Sequence, residues 1–342
     1  MFYWTILIGS IWSASKFPWI IENLYFKRFY QIIAISNRAL VRWFSFSLGD
    51  ILYVLSIIYL LYLLANILIN FKKPLEYILK LSRFLLLVIG LFYLSWGFNY
   101  FRPSIHKVLK IPNKKYTLAQ LSEITDTIIE HSNLLQQQLT KNDTLAVDIP
   151  YGLQNILNKT FIGYDSIARE IHQKYRLPVI KKSLMSPLIS YLHVTGYLNP
   201  FTGEAQINYL YPKYAIPFIA SHETAHQLGY APEDEANFLG FLSSIHHPDP
   251  YFRYSGYTAA LYYLLVELKK ADMDLFQKKL KKIHRGILEN FAQEARFYRQ
   301  HRNKYDMSKV YDSYLKLNHQ KKGIKSYNEM VKLVISYYLK KQ

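Results

Sequence analysis

Apolar positions along this chain follow two regimes that change near residue 102. Before that point, long uncharged runs dominate. No charge occurs from Ile51 to Phe71, which Asp50 precedes and Lys72-Lys73 follows. None occurs from Phe84 to Phe101, between Arg83 and Arg102. A membrane-spanning helix needs about 20 apolar residues, and both runs predict one. Tyr93, Trp96 and Tyr100 stand near one end of the second run, where an aromatic belt belongs. Their length and their Leu and Ile content argue against buried core helices. Met1 to Ser15 is also uncharged, and with Phe17 to Ile21 it predicts a first span over 1–21. A signal peptide would carry basic residues ahead of the run, and there are none. The mixed stretch 22–49 sets Lys27, Arg28, Arg38 and Arg42 among aromatics, which predicts a segment lying on the bilayer surface. Residues 1–101 are thus expected to form a membrane region, and 102–342 a separate domain.

The second regime reads as a folded domain. Thr117 and Gln120 make a capping-box pattern ahead of Leu118, Leu121, Ile124 and Ile128, which share one helical face. Residues 141–150 predict a loop and 152–176 another helix. Between 177 and 215, Pro178, Pro187, Gly196, Pro200 and Gly203 punctuate short strand-like runs. Helices are expected from 216 to the end. The fold class is therefore mostly α: N-terminal transmembrane helices, then an α+β domain with a small sheet.

Composition sharpens this picture. Aromatics make up 16% of the 342 residues, more than an ordinary soluble domain carries. The absence of cysteine removes disulfides, thiolate metal sites and cysteine nucleophiles together. A net charge of +18 calls for an anionic partner. With spans present, the lipid bilayer supplies one, and no nucleic-acid motif suggests another. Lys72, Lys73, Lys80 and Arg83 fall in a short loop between two spans, which places that loop in the cytoplasm and the C-terminal domain outside. Arg102, Lys107, Lys110, Lys114 and Lys115 argue the opposite, but short loops weigh more. The Lys-rich stretch 269–285 predicts a solvated helix face.

The chemistry concentrates at His222-Glu223-Thr224-Ala225-His226. Positions i and i+4 of a helix lie on one face, so both imidazoles reach one ion while Glu223 meets its water as a general base. Pro217 suits a first turn and Gly229 a helix end, predicting a helix over 217–228. A catalytic zinc site needs a third protein ligand. The metzincin pattern requires His six residues after the second ligand, where this chain has Pro232. A second helix opened by Pro232 would carry Glu233, Asp234 and Glu235 in its first turn. Glu233 shares a face with Asn237, which is expected to orient a ligating His from behind. Glu233 is the preferred ligand and Glu235 the alternative.

The stretches "NPFTGEAQIN" (199–208), "SHETAHQLGYAPEDEANFLGF" (221–241), "RYSGY" (253–257), "FSLGD" (46–50) and "WGFNYFR" (96–102) together resemble a family of uncharacterised bacterial membrane proteins known as domain of unknown function 3810. The resemblance covers most of the chain. It implies a few N-terminal spans, a bacterial inner-membrane location and a zincin-like domain, and it supplies no substrate. Glu233-Asp234-Glu235-Ala236-Asn237 more distantly resembles the second helix of gluzincin peptidases, which also implies Glu233 as ligand. The short gap after His226 departs from thermolysin-like enzymes.

The expected activity is that of a membrane-anchored zinc metallohydrolase acting on a peptide or protein. Zn2+ would sit on His222, His226 and Glu233, with Glu223 moving the proton. Gly203 to Asn208 is read as an edge strand to which an extended substrate could add. Tyr254, Tyr257, Arg253 and His193 are candidate donors to the developing oxyanion. His246 and His247 are read as a solvated turn. Two rival readings stand: a non-catalytic zinc-binding scaffold or assembly factor, and an amide hydrolase of the cell envelope. An intact Glu223 weighs against the first. No feature fixes an oligomeric state.

Overall fold

Ser47 opens the first long apolar helix by accepting the Asp50 amide hydrogen at 2.9 Å, a side-chain N-cap. That helix runs Leu48–Ile69, and a second, Pro74–Ser95, starts on a proline at its first position. In this computed structural model, residues 2–70, 73–302 and 327–341 are described. Both helices have 22 residues, with mean hydropathies of 2.4 and 1.9 over their apolar stretches. Each is long and apolar enough to cross a membrane, and almost none of their apolar surface is buried. At about 1.5 Å per residue each reaches about 33 Å, against a hydrocarbon core near 30 Å.

Three membrane expectations change. The second apolar helix starts ten residues earlier than the uncharged run, because Glu76, Lys80 and Arg83 are helical too; Lys80 bonds Glu76 at 2.7 Å one turn away. The basic loop over 72–83 shrinks accordingly to the short link before Pro74, of which Phe71 and Lys72 lie outside the described residues. The segment 1–21 is not one span. Its helix Phe2–Lys16 has 15 residues and ends before Phe17, whose backbone (φ −124°, ψ 64°) leaves the helical region ahead of Pro18.

The expected surface segment takes a defined form over residues 18–41. They wind through Pro18–Ile20, a wide π-helical stretch Ile21–Tyr30 and the helix Gln31–Val41. One face buries Tyr25, Phe26, Tyr30, Ala34, Arg38 and Val41 against the following domain. The other face is exposed, with Trp19, Phe29, Ile32, Leu40 and Trp43 outward among Lys27, Arg28 and Arg42.

Within the domain, Thr117 and Gln120 form the capping box of helix Leu118–Thr140. The helix expected over 152–176 stops at Ile167. The strand-like region yields a three-stranded sheet: β1 (Ile180–Lys182), β2 (Gly196–Leu198) and β3 (Ala205–Ile207). Their order is β1-β3-β2, with β1 parallel and β2 antiparallel to β3. The segment 203–208 therefore supplies the central strand, and β1 and β2 are the two edges. Helix Ile216–Gln227 packs against the sheet, and with Glu233–Ile245, Pro250–Ala271 and Leu118–Thr140 it shares one apolar core. The structure is mostly helical with a small mixed sheet. In the Lys-rich stretch, Lys279 is buried rather than solvated and pairs with Asp126.

Candidate metal centre

The helix Ile216–Gln227 is buried on nearly every side; of its twelve residues only His222 is partly exposed. Such a helix needs partners for its backbone ends. It finds them in the N-terminal segments, up to Arg102. Trp96 Nε1, one residue past the second apolar helix, donates to the His226 carbonyl at 3.0 Å. The Tyr30 hydroxyl donates to the Gln227 carbonyl at 2.8 Å, and Arg38 reaches the same oxygen at 3.3 Å. Arg102 donates to the Gly229 carbonyl at 2.7 Å and pairs with Glu22 at 2.9 Å. Gly229, at φ +85°, makes the turn that only glycine takes easily. A Cβ there would also lie 2.9 Å from both Phe26 and Tyr30.

That turn orients His226. Its Nδ1 lies 2.8 Å from the Tyr230 carbonyl, which can only accept, so Nδ1 carries a hydrogen and the neutral imidazole would present the Nε2 lone pair to a metal. His226 Nε2 stands 3.1 Å from His222 Nε2. Glu233 opens the next helix, and its carboxylate lies 3.3 Å from His222 Nε2 and 3.7 Å from His226 Nε2. One ligand atom from each residue falls within 4.8 Å of the other two. Two ligands about 2.05 Å from an ion at a tetrahedral angle stand about 3.3 Å apart, so these spacings fit zinc. Gly240 makes the approach feasible: a Cβ there would meet the His222 backbone at 3.0 Å.

Glu223 lies beside this cluster without joining it, its Oε1 4.0 Å from His222 Nε2. Its carboxyl is buried, and Oε2 has no hydrogen-bond partner among the described residues. It faces β2, where a Cβ on Gly196 would stand 2.8 Å from Oε1. Burial pushes the Glu223 carboxyl up to about 7, partly opposed by the two histidines. Burial would lower His226, but the Glu233 charge and hydrogen bond outweigh it and hold the imidazole above its usual range. Glu233 is pulled well below the carboxylate range by the same histidines, against its own burial.

The remaining candidates lie elsewhere. Glu235 turns away and accepts the Ile105 amide at 2.9 Å; burial, then Asp234, pushes it up to about 8. Asn237 does not orient a histidine: its Oδ1 accepts from Tyr263 at 3.3 Å, the Tyr230 carbonyl serves His226, and His222 Nδ1 has no partner among the described residues. Tyr254 is fully buried and donates to Asn290 at 2.6 Å. Tyr257 stacks on His131 at 4.7 Å, and His193 packs edge-on against Tyr298 at 5.1 Å. The Arg253 Nε is buried with no partner among the described residues. His247 is buried, bonds the Lys159 carbonyl at 3.1 Å and stacks on Phe252, so it is structural rather than solvated.

Sequence reading missed a polar clamp between the sheet and the first apolar helix. Lys181 of β1 pairs with Glu204 at 2.6 Å, and both are buried. Glu204 also accepts the amides of Leu48 (3.2 Å) and Gly49 (2.5 Å). Asp50 accepts Leu184 N at 2.6 Å and the Tyr197 hydroxyl of β2. Gly49 fits because a Cβ would meet the Asn199 side chain at 2.6 Å. The one advance signal was the paired motifs "FSLGD" and "NPFTGEAQIN", which this clamp joins.

The sequence matches the family described as protein of unknown function, DUF3810, over residues 25–335. No curated protein and no solved structure matches the chain. With nearly its whole length covered, the chain belongs to the DUF3810 family.

Proposed function

We propose that this protein is a membrane-anchored, zinc-dependent hydrolase with a zincin-like site, acting on peptide bonds. The carrying observation is the convergence of His222, His226 and Glu233, at ligand spacing, with Glu223 at their side. When bound, zinc supplies Lewis acidity and lowers the pKa of water toward 7. Glu223 then has the proton work. Its carboxyl sits near 7, matched to taking a proton from water and returning it to the leaving amine. Its unpartnered Oε2 is the acceptor for that proton. The edge strand β2 carries Gly196 against Glu223, so an extended peptide adding to β2 would run past the general base. A scaffold has no use for an unpaired buried carboxylate beside three ligands, because such a group costs stability.

The test is metal content by mass spectrometry on the purified full-length protein, wild type beside Glu223→Ala, His226→Ala and Glu233→Ala. Wild type and Glu223→Ala are expected to carry one zinc, and the two ligand variants none. A peptide mixture cleaved by wild type should survive Glu223→Ala. A wild type that stays metal-free after zinc supplementation overturns the reading.

A further inference from the structure

The two apolar helices form a hairpin whose free ends meet the metal centre. Tyr59 packs on Phe84 with ring centroids 5.0 Å apart. Tyr59 is 11 residues after Leu48, and Phe84 is 11 before Ser95, so Leu48 and Ser95 lie at the same end. At that end, Trp96 bonds the His226 carbonyl, and its ring stands 6.0 Å from the His226 imidazole. At the same end, Asp50 holds Tyr197 of β2, next in sequence to the Gly196 that faces Glu223. Tyr53, one turn further along the first apolar helix, packs on Tyr197 and Phe201 at 6.3 Å. Ligands and base are thus fastened directly to the hairpin, with no linker between. Beside them the 18–43 segment turns Trp19 (71% exposed) and Trp43 (81% exposed) outward, with Lys27, Arg28 and Arg42 among them. Aromatic and basic residues mixed in this way suit the headgroup layer.

From this placement, and resting on the zinc-hydrolase reading above, we propose that the substrate is itself held in the bilayer. The scissile bond lies in a juxtamembrane segment of a membrane-anchored polypeptide, within roughly five extended residues (about 17 Å) of its anchor. A centre bolted to the ends of spanning helices lies in the plane where such segments emerge. Sharing one surface also raises the effective concentration of a tethered chain toward the mM range.

The test uses the full-length protein, zinc-loaded, in phosphatidylcholine–phosphatidylglycerol vesicles. The probe is a peptide hydroxamate, which chelates zinc, with a benzophenone beside it to record capture as a covalent cross-link. It is offered free, on a palmitoyl anchor through a three-residue spacer, and on the same anchor through 25 Gly/Ser residues. Three extended residues span only about 10 Å, whereas 25 flexible ones average about 27 Å. The short-spacer probe is expected to be captured at least tenfold better than the free probe and no worse than the long one. Capture of the long-spacer and free probes without the short one places the centre away from the bilayer and overturns the inference, while leaving the metal reading intact. A zinc-loaded protein that captures none of the three also overturns it. Protein that holds no zinc and captures nothing sinks the metal reading first, and the inference with it.

Discussion

Gly196→Ala tests the contact between β2 and the general base. A methyl at position 196 would lie 2.8 Å from Glu223 Oε1, 2.9 Å from its Cγ and 3.0 Å from the Gln206 carbonyl. Ordinary contact begins near 3.4 Å, so the carboxylate must retreat by about 0.6 Å. The strand cannot yield instead, because Gly196 is held in register opposite Ile207. Overpacking of this kind costs about 1–3 kcal/mol. At about 2.1 cal/mol/K per residue, a chain this long loses about 1.4 °C of Tm per kcal/mol, giving a drop of about 1–4 °C. The assay is a double-mutant cycle by thermal unfolding in detergent, with Glu223→Ala as the second background. Removing Glu223 frees the space, so Gly196→Ala should then cost under about 1 kcal/mol, the residue of the Gln206 contact. Equal cost in both backgrounds would refute the reasoning.

Zinc affinity should climb with pH. Glu233 holds His226 above the unfolded value of 6.5, so the protonated pair stabilises the metal-free fold below 6.5 and loses that contribution as pH rises through the folded value. Zinc needs the neutral imidazole, so chelator competition should show binding tightening by about tenfold per pH unit just above 6.5; a flat profile from 6.5 to 8 contradicts this. Glu235→Ala should keep its zinc by mass spectrometry yet lose about 1–3 kcal/mol in the melt, since it strands the buried Ile105 amide. Lys181→Met should cost about 3–5 kcal/mol by leaving Glu204 buried and unpaired, and Lys181→Met with Glu204→Gln should recover part of it; an unchanged Tm in the single variant counts against the clamp.

The helix bearing His222 and His226 was legible because its signals are local: a proline in its first turn, a glycine past its end and histidines at i and i+4. The expected bounds, 217–228, differ from Ile216–Gln227 by one residue at each end. The placement of Glu233 beside the two histidines was legible for the same reason, since Pro232 caps the start of its helix. The role given to Asn237 was not, because a backbone carbonyl across the Gly229 turn is nearer to His226 than any side chain one turn down the next helix. Strand order escaped because β3 pairs on both sides with segments that carry equally weak signals. The start of the second apolar helix was misread because hydropathy registers charge, whereas Glu76 and Lys80 are good helix formers that satisfy each other. The clamp's contacts with the first apolar helix, Glu204 to Gly49 and Asp50 to Leu184, join residues more than 130 apart, which no local pattern encodes.

The donors that cap the HExxH helix set the order of events during biogenesis. Tyr30, Arg38, Trp96 and Arg102 reach carbonyls 197, 189, 130 and 127 residues downstream. Contacts this distant in sequence close late. The ribosome delivers the hairpin long before His222, so the N-terminal segments are already made when His222 and His226 emerge. Until those segments dock, His226 lacks the turn that fixes its imidazole. A chain whose N-terminal segments fail to dock therefore has no finished His222–His226–Glu233 cluster.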